Sequence, residues 1–286
     1  MGAMGYYRPP TVGVASPPTR EHGSDLKTNV EWEEWGRLDP LYGVATWPGK
    51  DRKGQAPWTD SEFYSVGERD WAEFAERWQR YGLARGSCLE IGCGAGRITR
   101  WLADSFDRVI AVDVSSDMIE YAKLHVSSAV EFHVVDGTTL PVDEHSVDSV
   151  FSVLVFQHFE QVSDAKDYLR EVARVIVPNG TIMIQFPTYA WPGDFFGYRM
   201  LYRLRRLAAL MRAAVRRQFL RWGRGQLFFR FLRFESGWLE TTLSDLGFGD
   251  IELVTFLPDA HPEWLTFAFA RKRPVDGSKR ADDTSV

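Results

Sequence analysis

The most constraining feature of this sequence is an apolar strand pattern that runs directly into a glycine-rich turn. Leu89, Glu90 and Ile91 lead into glycines at positions 92, 94 and 96, and Arg97 begins the next helical pattern. Glycine lets the backbone turn tightly and lets a ligand approach where a Cβ atom would clash. Amide groups at a helix start add hydrogen-bond donors. The segment therefore predicts a strand–turn–helix unit that can hold a ligand.

The glycine spacing excludes two familiar loops. A dinucleotide fingerprint needs a third glycine at position 97, where this chain has Arg97. A Walker-type loop is also absent, because no Gly-Lys-Ser/Thr follows. Taken alone, the glycines are a weak signal, and the alternative is a generic strand–helix turn.

Strand and helix patterns alternate along most of the chain. Near-continuous apolar strands separated by helices are typical of a parallel sheet covered on both faces. The prediction is an α/β fold, a Rossmann-like doubly wound sheet of seven strands. The expected helices are 61–82, 97–105, 116–124, 162–175 and 237–246, and the expected strands are 88–91, 108–114, 130–135, 147–156, 180–186, 250–256 and 264–271.

Composition shifts divide the chain further. Pro- and Gly-rich residues 1–24 and polar residues 274–286 are interpreted as disordered tails. Residues 25–82 form a predicted N-terminal aromatic cap, 83–187 the central ligand-binding core, 188–236 a helical lid insert, and 237–273 the C-terminal part of the core.

Two acids mark the ends of the next strands. Asp113 ends an apolar strand, where a carboxylate can accept both hydroxyls of a ribose. Asp136, followed by Gly137, ends the strand after it and can accept a hydrogen bond from a purine amine. Met118 could pack on that purine. Each acid alone is also typical of a helix cap or a solvated strand end, but three consecutive strand ends of this kind favour a nucleoside site.

These motifs together resemble the class I S-adenosylmethionine-dependent methyltransferases, in particular bacterial enzymes acting on small, saccharide-type molecules. The likeness covers roughly residues 70–187 and is carried by 89–96, 109–113, 135–137, 147–156 and 169–181. It implies S-adenosylmethionine as cofactor and an antiparallel last strand. The cofactor-binding residues that it implies are Glu90, Gly92, Cys93, Gly94, Gly96, Asp113, Val114, Met118, Asp136, Gly137 and Phe156.

The residues at the end of the fourth predicted strand narrow the class of methyl acceptor. The Asn/Asp-Pro-Pro-Tyr/Phe motif of amide and adenine-amino methylases is absent there. Neither Cys88 nor Cys93 is placed as the nucleophile of a cytosine-carbon methylase. His158 stands there instead and can act as a base for a hydroxyl. A histidine bonded to backbone is about equally expected at a strand end. Gln157 and His261 are candidate substrate contacts, and a divalent metal near His158 is left open.

Tryptophans cluster before the glycine loop, and they suggest a second part of the acceptor site. Aromatic faces stack on sugar rings, so Trp35, Tyr42 and, in the insert, Trp191 are predicted substrate contacts. The alternative is that these rings only attach the cap to the sheet.

The insert contains a strongly basic stretch. Residues 199–233 hold eleven arginines and no acid, on an amphipathic helical pattern. One interpretation is a lid helix whose apolar stripe packs on the core while its arginines are solvated or paired with acids of the chain. The others are a lid over an anionic or polyhydroxylated acceptor, a homodimer surface, or a peripheral contact with acidic lipid. Nucleic acid is a poor fit, because no recognition motif accompanies the arginines and the sequence pI is about 5.7.

Composition sets the remaining expectations. No apolar run is long enough to span a membrane, no export signal is evident at the N-terminus, and two cysteines cannot form a disulfide framework. We therefore expect a cytoplasmic O-methyltransferase acting on a hydroxyl of a small saccharide-type acceptor. The alternatives are a methyltransferase of lipids at a membrane surface and a non-catalytic protein that binds the cofactor.

Overall fold

The computed structural model describes residues 27–52, 54–137, 139–189 and 232–274. The two predicted tails, Trp191 and all but the last residues of the arginine-rich stretch lie outside the described residues. The predictions of a lid, a homodimer surface or a lipid contact lie outside them as well. Within the described residues, no helix is both long and apolar enough to cross a membrane.

The described residues form seven α-helices and nine β-strands. The helices are α1 (Lys27–Leu38), α2 (Pro40–Val44), α3 (Asp60–Gln79), α4 (Thr99–Ala103), α5 (Ser116–His125), α6 (Val162–Val175) and α7 (Ser236–Asp245). The strands are β1 (Ser87–Ile91), β2 (Arg108–Asp113), β3 (Glu131–Val134), β4 (Val147–Ser152), β5 (Ile176–Gln185), β6 (Thr188–Tyr189), β7 (Phe234–Glu235), β8 (Phe248–Phe256) and β9 (Leu265–Lys272).

The main sheet has seven strands in the order β3-β2-β1-β4-β5-β9-β8. The first five are parallel to one another, and β9 runs antiparallel to both β5 and β8. The prediction of a seven-stranded Rossmann-like α/β sheet with an antiparallel last strand is confirmed. Strands β6 and β7 form a separate two-stranded ladder that was not predicted.

Apolar layers cover both faces of the sheet. One layer contains α6 and α7, and the other contains α3 and α4. Trp78 shows how α3 is fixed to the sheet: its ring is fully buried and its Nε1 donates to Thr181 Oγ1 at 3.1 Å. Burying a large aromatic ring and satisfying its one polar group together favours a single docking position.

The fourth strand is shorter than the predicted span 147–156. It ends at Ser152, and a 3₁₀ turn follows over Phe156–His158. Leu154 has a left-handed backbone with φ of 62°, and its N–H donates to Gln185 Oε1 at 3.1 Å. That hydrogen bond holds the chain away from strand geometry, although the residues themselves continue an apolar run.

Other boundaries differ from the predictions as well, most clearly at β5 and α4. Strand β5 begins at Ile176 rather than at 180, because Ile176 already pairs with Val147 before an irregularity in the ladder. Helix α4 is only Thr99–Ala103, since the preceding residues 94–98 form turns rather than helix.

The chain connections place a crevice beside β1. Strand β1 lies between β2 and β4, so the chain leaves it in one direction along the sheet and later returns on the other side. In open parallel sheets, ligands bind at the carboxyl ends of the strands at such a reversal.

Helix α3 approaches the glycine loop very closely. A Cβ atom placed on Gly67 would lie 2.1 Å from the Arg97 carbonyl oxygen. A contact of that length with backbone cannot be relieved by a side-chain rotation, so glycine is needed where α3 crosses the loop.

Replacing Gly67 by alanine should lower the free energy of unfolding by about 1–3 kcal/mol through overpacking, despite the better helix propensity of alanine. Urea unfolding measures this effect. Gly237→Ala in α7 is the matched control, because no atom lies within 4 Å of the new Cβ. Equal stabilities of the two variants would contradict the close approach of α3.

Candidate active site

A cavity of about 620 Å³ opens at the carboxyl edge of the sheet. This size falls in the usual range of sites for small molecules and cofactors. The walls come from the ends of β1 and β2, the segments after β3 and β4, the start of α6, the cap, and the β8–β9 loop. The cavity is therefore built where the reversal of strand order predicts a ligand.

The glycine loop forms the floor of the cavity. Gly92 and Gly94 have positive φ values of 75° and 53°, which side chains rarely adopt. A Cβ on Gly92 would also lie 2.1 Å from Val155 Cγ2. The N–H groups of Gly92 and Cys93 donate to the Val112 carbonyl at 2.8 and 3.0 Å, which ties the loop to β2.

Asp113 connects the loop to the end of β2. Its two carboxylate oxygens accept the backbone N–H groups of Gly94 at 2.7 Å and Ser115 at 2.9 Å. Burial raises the pKa of the Asp113 carboxyl, and these hydrogen bonds oppose that rise. The carboxylate lies in the cavity wall and keeps lone pairs for a ligand, since each oxygen can accept more than one hydrogen bond.

Glu90 is a buried acid in the same wall. Its side chain is 3% exposed, and its Oε2 has no hydrogen-bond partner among the described residues. Burial raises the pKa of Glu90 to about 7. An unpaired buried carboxyl is costly unless a ligand supplies a donor. The residue thus fits the ammonium group of an amino-acid moiety.

Apolar side chains form another part of the cavity lining. Val114, Met118, Val135 and Leu154 line the cavity and form a surface suited to a flat base. Behind them, the Tyr168 hydroxyl donates to the Gly137 carbonyl at 2.8 Å and fixes the turn after β3.

Asp136 lies beside this wall and is not among the lining residues. Its side chain is exposed, and its carbonyl accepts a hydrogen bond of 2.9 Å from Asn29 Nδ2 of helix α1. The cap therefore closes over the third strand end, and Asn29 lines the cavity there.

His158 stands in the cavity wall and is 8% exposed. The Trp32 ring meets it edge to face at a centroid distance of 4.8 Å. Gln157 Nε2 lies 3.2 Å from His158 Nε2. Since an amide N–H can only donate, this contact makes Nε2 the acceptor and corresponds to a neutral imidazole.

The cap is an aromatic cluster packed on the loop and on α5. Trp35 and Tyr42 belong to this cluster, which also contains Ala95 and Met118. Neither Trp35 nor Tyr42 lines the cavity. Trp32 and Trp47 line it instead.

The cavity brings together most of the predicted site residues. These are Glu90, Gly92, Cys93, Gly94, Asp113, Val114, Met118, Gly137, Gln157, His158 and His261. Gly96, Asp136, Phe156, Trp35 and Tyr42 lie outside its lining, and Trp191 lies outside the described residues. Phe156 is fully buried against Phe159 and Phe186, so its ring belongs to the core.

Several lining residues were not predicted. Asn29, Trp32, Trp47, Arg97 and Tyr168 all reach the cavity. Arg97 had a signal, because it directly follows the glycine loop. The others come from segments whose helical phase or distance from the loop was not fixed by the sequence.

Metal binding has no support within the described ranges. They contain no group of three or more His, Cys, Asp or Glu side chains arranged to hold an ion. The two cysteines are buried and unbridged, and burial raises the pKa of both thiols.

Comparison with known proteins agrees with this geometry. Residues 89–184 match a family described as a methyltransferase domain. A malonyl-[acyl-carrier protein] O-methyltransferase from Hahella chejuensis is 36% identical over 108 residues, which cover 35% of this chain and 38% of that protein. Phosphoethanolamine N-methyltransferase 1 from Arabidopsis thaliana is 31% identical over 100 residues, 34% of this chain and 20% of that protein. The matches thus span less than two fifths of these relatives.

A solved structure shares the fold over a longer span. Magnesium protoporphyrin IX methyltransferase from Synechocystis PCC 6803, with bound S-adenosylhomocysteine, aligns with a TM-score of 0.53 and 16% identity. The alignment covers 86% of this chain and 95% of that one.

The fold and the loop define a Rossmann-like methyltransferase architecture. Residues 89–184 carry a methyltransferase domain of this architecture, whose cofactor is S-adenosylmethionine. The cavity residues fit this molecule, since the glycines leave room for it, the orphaned Glu90 carboxyl suits its ammonium group, and Asp113 suits its ribose.

Replacing Asp113 by asparagine should raise the Kd for S-adenosylhomocysteine roughly ten- to a hundredfold, because a charged acceptor of hydrogen bonds is lost. Calorimetric titration measures the Kd. Asp107→Asn is the matched control, since Asp107 is exposed just before the opposite end of β2. Unchanged affinity in Asp113→Asn would remove this residue from the cofactor site.

Replacing Glu90 by glutamine should change how stability depends on pH. The pKa of Glu90 in the folded state is about 7 against an ordinary value of 4.5, so the folded state of the wild type holds this proton more tightly. Its contribution to stability is complete below about pH 4.5 and is lost as pH rises through about 7. Urea unfolding across this range should show the wild type losing up to about 3 kcal/mol relative to Glu90→Gln. Parallel curves for the two proteins would contradict a raised pKa at Glu90.

Proposed function

We propose that this protein transfers the methyl group of S-adenosylmethionine to a hydroxyl of a small, saccharide-type acceptor. The observation that carries the proposal is His158, which lies in the wall of the same cavity as the glycine loop and Asp113. The cofactor site and a nitrogen base thus share one cavity.

The chemistry of the transfer explains why a base matters here. The acceptor oxygen forms a bond to the methyl carbon while the bond from that carbon to sulfur breaks, which leaves S-adenosylhomocysteine. The hydroxyl proton must leave as well, and His158 accepts it. An alcohol is barely ionised at neutral pH, so a positioned base typically contributes 10²- to 10⁴-fold.

His158 has the surroundings that this role needs. The hydrogen bond from the Gln157 amide fits the neutral form, and the acceptor hydroxyl displaces that amide to reach the single lone pair on Nε2. The Trp32 edge holds the ring in place. Tyr168, another titratable ring that lines the cavity, is unsuited to be a base, because burial raises the pKa of its phenol and keeps it protonated.

The cap supports the proposed function in two ways: it can align the acceptor, and it can exclude water. Trp32 and Trp47 present aromatic surface to the cavity, and such surface suits the apolar face of a sugar ring. Asn29 holds α1 over the third strand end through its hydrogen bond to the Asp136 carbonyl. A covered cavity favours displacement by a bound oxygen over attack by water.

Replacing His158 by alanine should lower methyl transfer about 10²- to 10⁴-fold while leaving S-adenosylhomocysteine binding within a fewfold of wild type. The measurement is transfer of tritium from labelled S-adenosylmethionine to oligosaccharide extracts. His133→Ala is the matched control, because His133 lies in β3 outside the cavity lining.

Two results would count against the proposal in different ways. Undiminished transfer by His158→Ala would remove the base role. Binding of the cofactor without transfer to saccharide extracts, but with transfer to lipid extracts, would favour a lipid acceptor, and no transfer to either would favour a non-catalytic binding protein.

A further inference from the structure

Gln185 is a buried polar residue beside the site, and the proposed base and cofactor contacts do not use it. It is the last residue of β5, it is 3% exposed, and it does not line the cavity. Its Oε1 accepts the backbone N–H of Leu154 at 3.1 Å, and Leu154 does line the cavity. Gln185 therefore reaches the cavity wall through the backbone of the segment that follows β4.

Leu154 has a backbone conformation that needs support from its surroundings. Its φ of 62° lies in the left-handed region, which a leucine rarely adopts. Residues other than glycine keep such a conformation only where neighbouring contacts hold it, and these positions cluster at functional sites. The hydrogen bond to the buried Gln185 side chain is a contact of this kind.

The turn at Leu154 changes the side of the sheet on which its neighbours pack. Val153 and Leu154 both pack on the apolar layer that contains α3 and α4, whereas Val155 packs on the layer that contains α6 and α7. In an extended strand, Val153 and Leu154 would point to opposite faces. The left-handed turn breaks this alternation and thereby sets the side on which Val155 lies.

Val155 connects the glycine loop with the proposed base. Its Cγ2 lies so close to the loop that a Cβ atom on Gly92 would be 2.1 Å from it. Its carbonyl oxygen accepts the backbone N–H of His158 at 2.9 Å. A change in the turn that moves Val155 therefore moves His158 relative to the loop that holds the cofactor.

We propose that Gln185 is a positioning residue for methyl transfer. Through Leu154 it holds Val155, and with it His158, in the geometry that brings the base to the acceptor hydroxyl beside the cofactor. A displacement of about 1 Å at a reacting centre can cost roughly 10²-fold in rate. The inference rests on the proposed function, because it takes His158 as the base.

Two variants of Gln185 test whether its acceptor oxygen matters. Gln185→Met has a side chain of similar length without that oxygen, so the rate of methyl transfer should fall roughly ten- to a hundredfold. Gln185→Glu keeps an oxygen that can accept the Leu154 N–H and should recover most of the rate. The measurement is the initial rate of tritium transfer from saturating labelled S-adenosylmethionine to saccharide extracts. A wild-type rate in Gln185→Met, or an equal loss in both variants, overturns the inference.

Ile184→Val is the matched control for a loss of stability alone. Ile184 is the neighbouring residue in β5 and is fully buried, so valine removes one packed methylene without touching the hydrogen bond to Leu154. Its rate should stay within about twofold of wild type. Urea unfolding verifies that every variant is folded under the assay conditions. A loss of rate in Ile184→Val as large as that in Gln185→Met overturns the inference.

A double-mutant cycle with His158→Ala shows whether Gln185 acts through the base. If it does, adding Gln185→Met to His158→Ala should lower the remaining transfer by less than about threefold, because the group that it positions is already gone. A further loss as large as the one in the wild-type background overturns the inference, because the two effects are then independent.

The same assay separates failure of this inference from failure of the proposed function. If the wild type transfers no label to saccharide extracts, or if His158→Ala transfers it undiminished, the proposed function fails and this inference fails with it. If His158→Ala shows its expected loss while Gln185→Met transfers at the wild-type rate, only the role of Gln185 is removed.

Discussion

The site depends on the Asp113 carboxylate and the two backbone N–H groups that it accepts. Those hydrogen bonds join the glycine loop to the end of β2 and the start of α5, so the floor and the side of the cavity are one unit. The left-handed conformations of Gly92 and Gly94 make that geometry accessible. The surrounding helices are placed against this unit, as the approach of Gly67 to the Arg97 carbonyl shows.

Three unfavourable local features lie in the lining of the same cavity. Glu90 Oε2 and His261 Nε2 are buried without partners among the described residues, and Leu154 keeps a left-handed backbone. Each such feature costs free energy, which the two apolar layers on the sheet offset. Unpaired polar atoms in a cavity lining are typical of a site prepared for a ligand, since a ligand satisfies polar atoms that the protein alone does not.

The fold and the cofactor-binding part of the site were predictable from the sequence because both depend on local residue patterns. An apolar strand that ends in Gly92 or in Asp113 can be recognised from the residue type and its position.

The acceptor-binding part of the site was less predictable. Trp47 and His261 are far apart in sequence and meet only through the packing of the cap on the β8–β9 loop. The turn at Leu154 was hidden by an apolar run, because the Gln185 side chain that stabilises it lies on another strand. Trp32 and Trp35 could not be told apart before the phase of α1 was known.

The central claim is that one nucleoside-bearing cofactor spans the ends of β1, β2 and β3 and directs its sulfur toward His158. A crystal structure with S-adenosylhomocysteine tests this claim most directly. The account predicts ribose hydroxyls on Asp113, the amino group near Glu90 and the base against Met118 and Val135. A nucleoside bound anywhere else, or a sulfur directed away from His158, would contradict it.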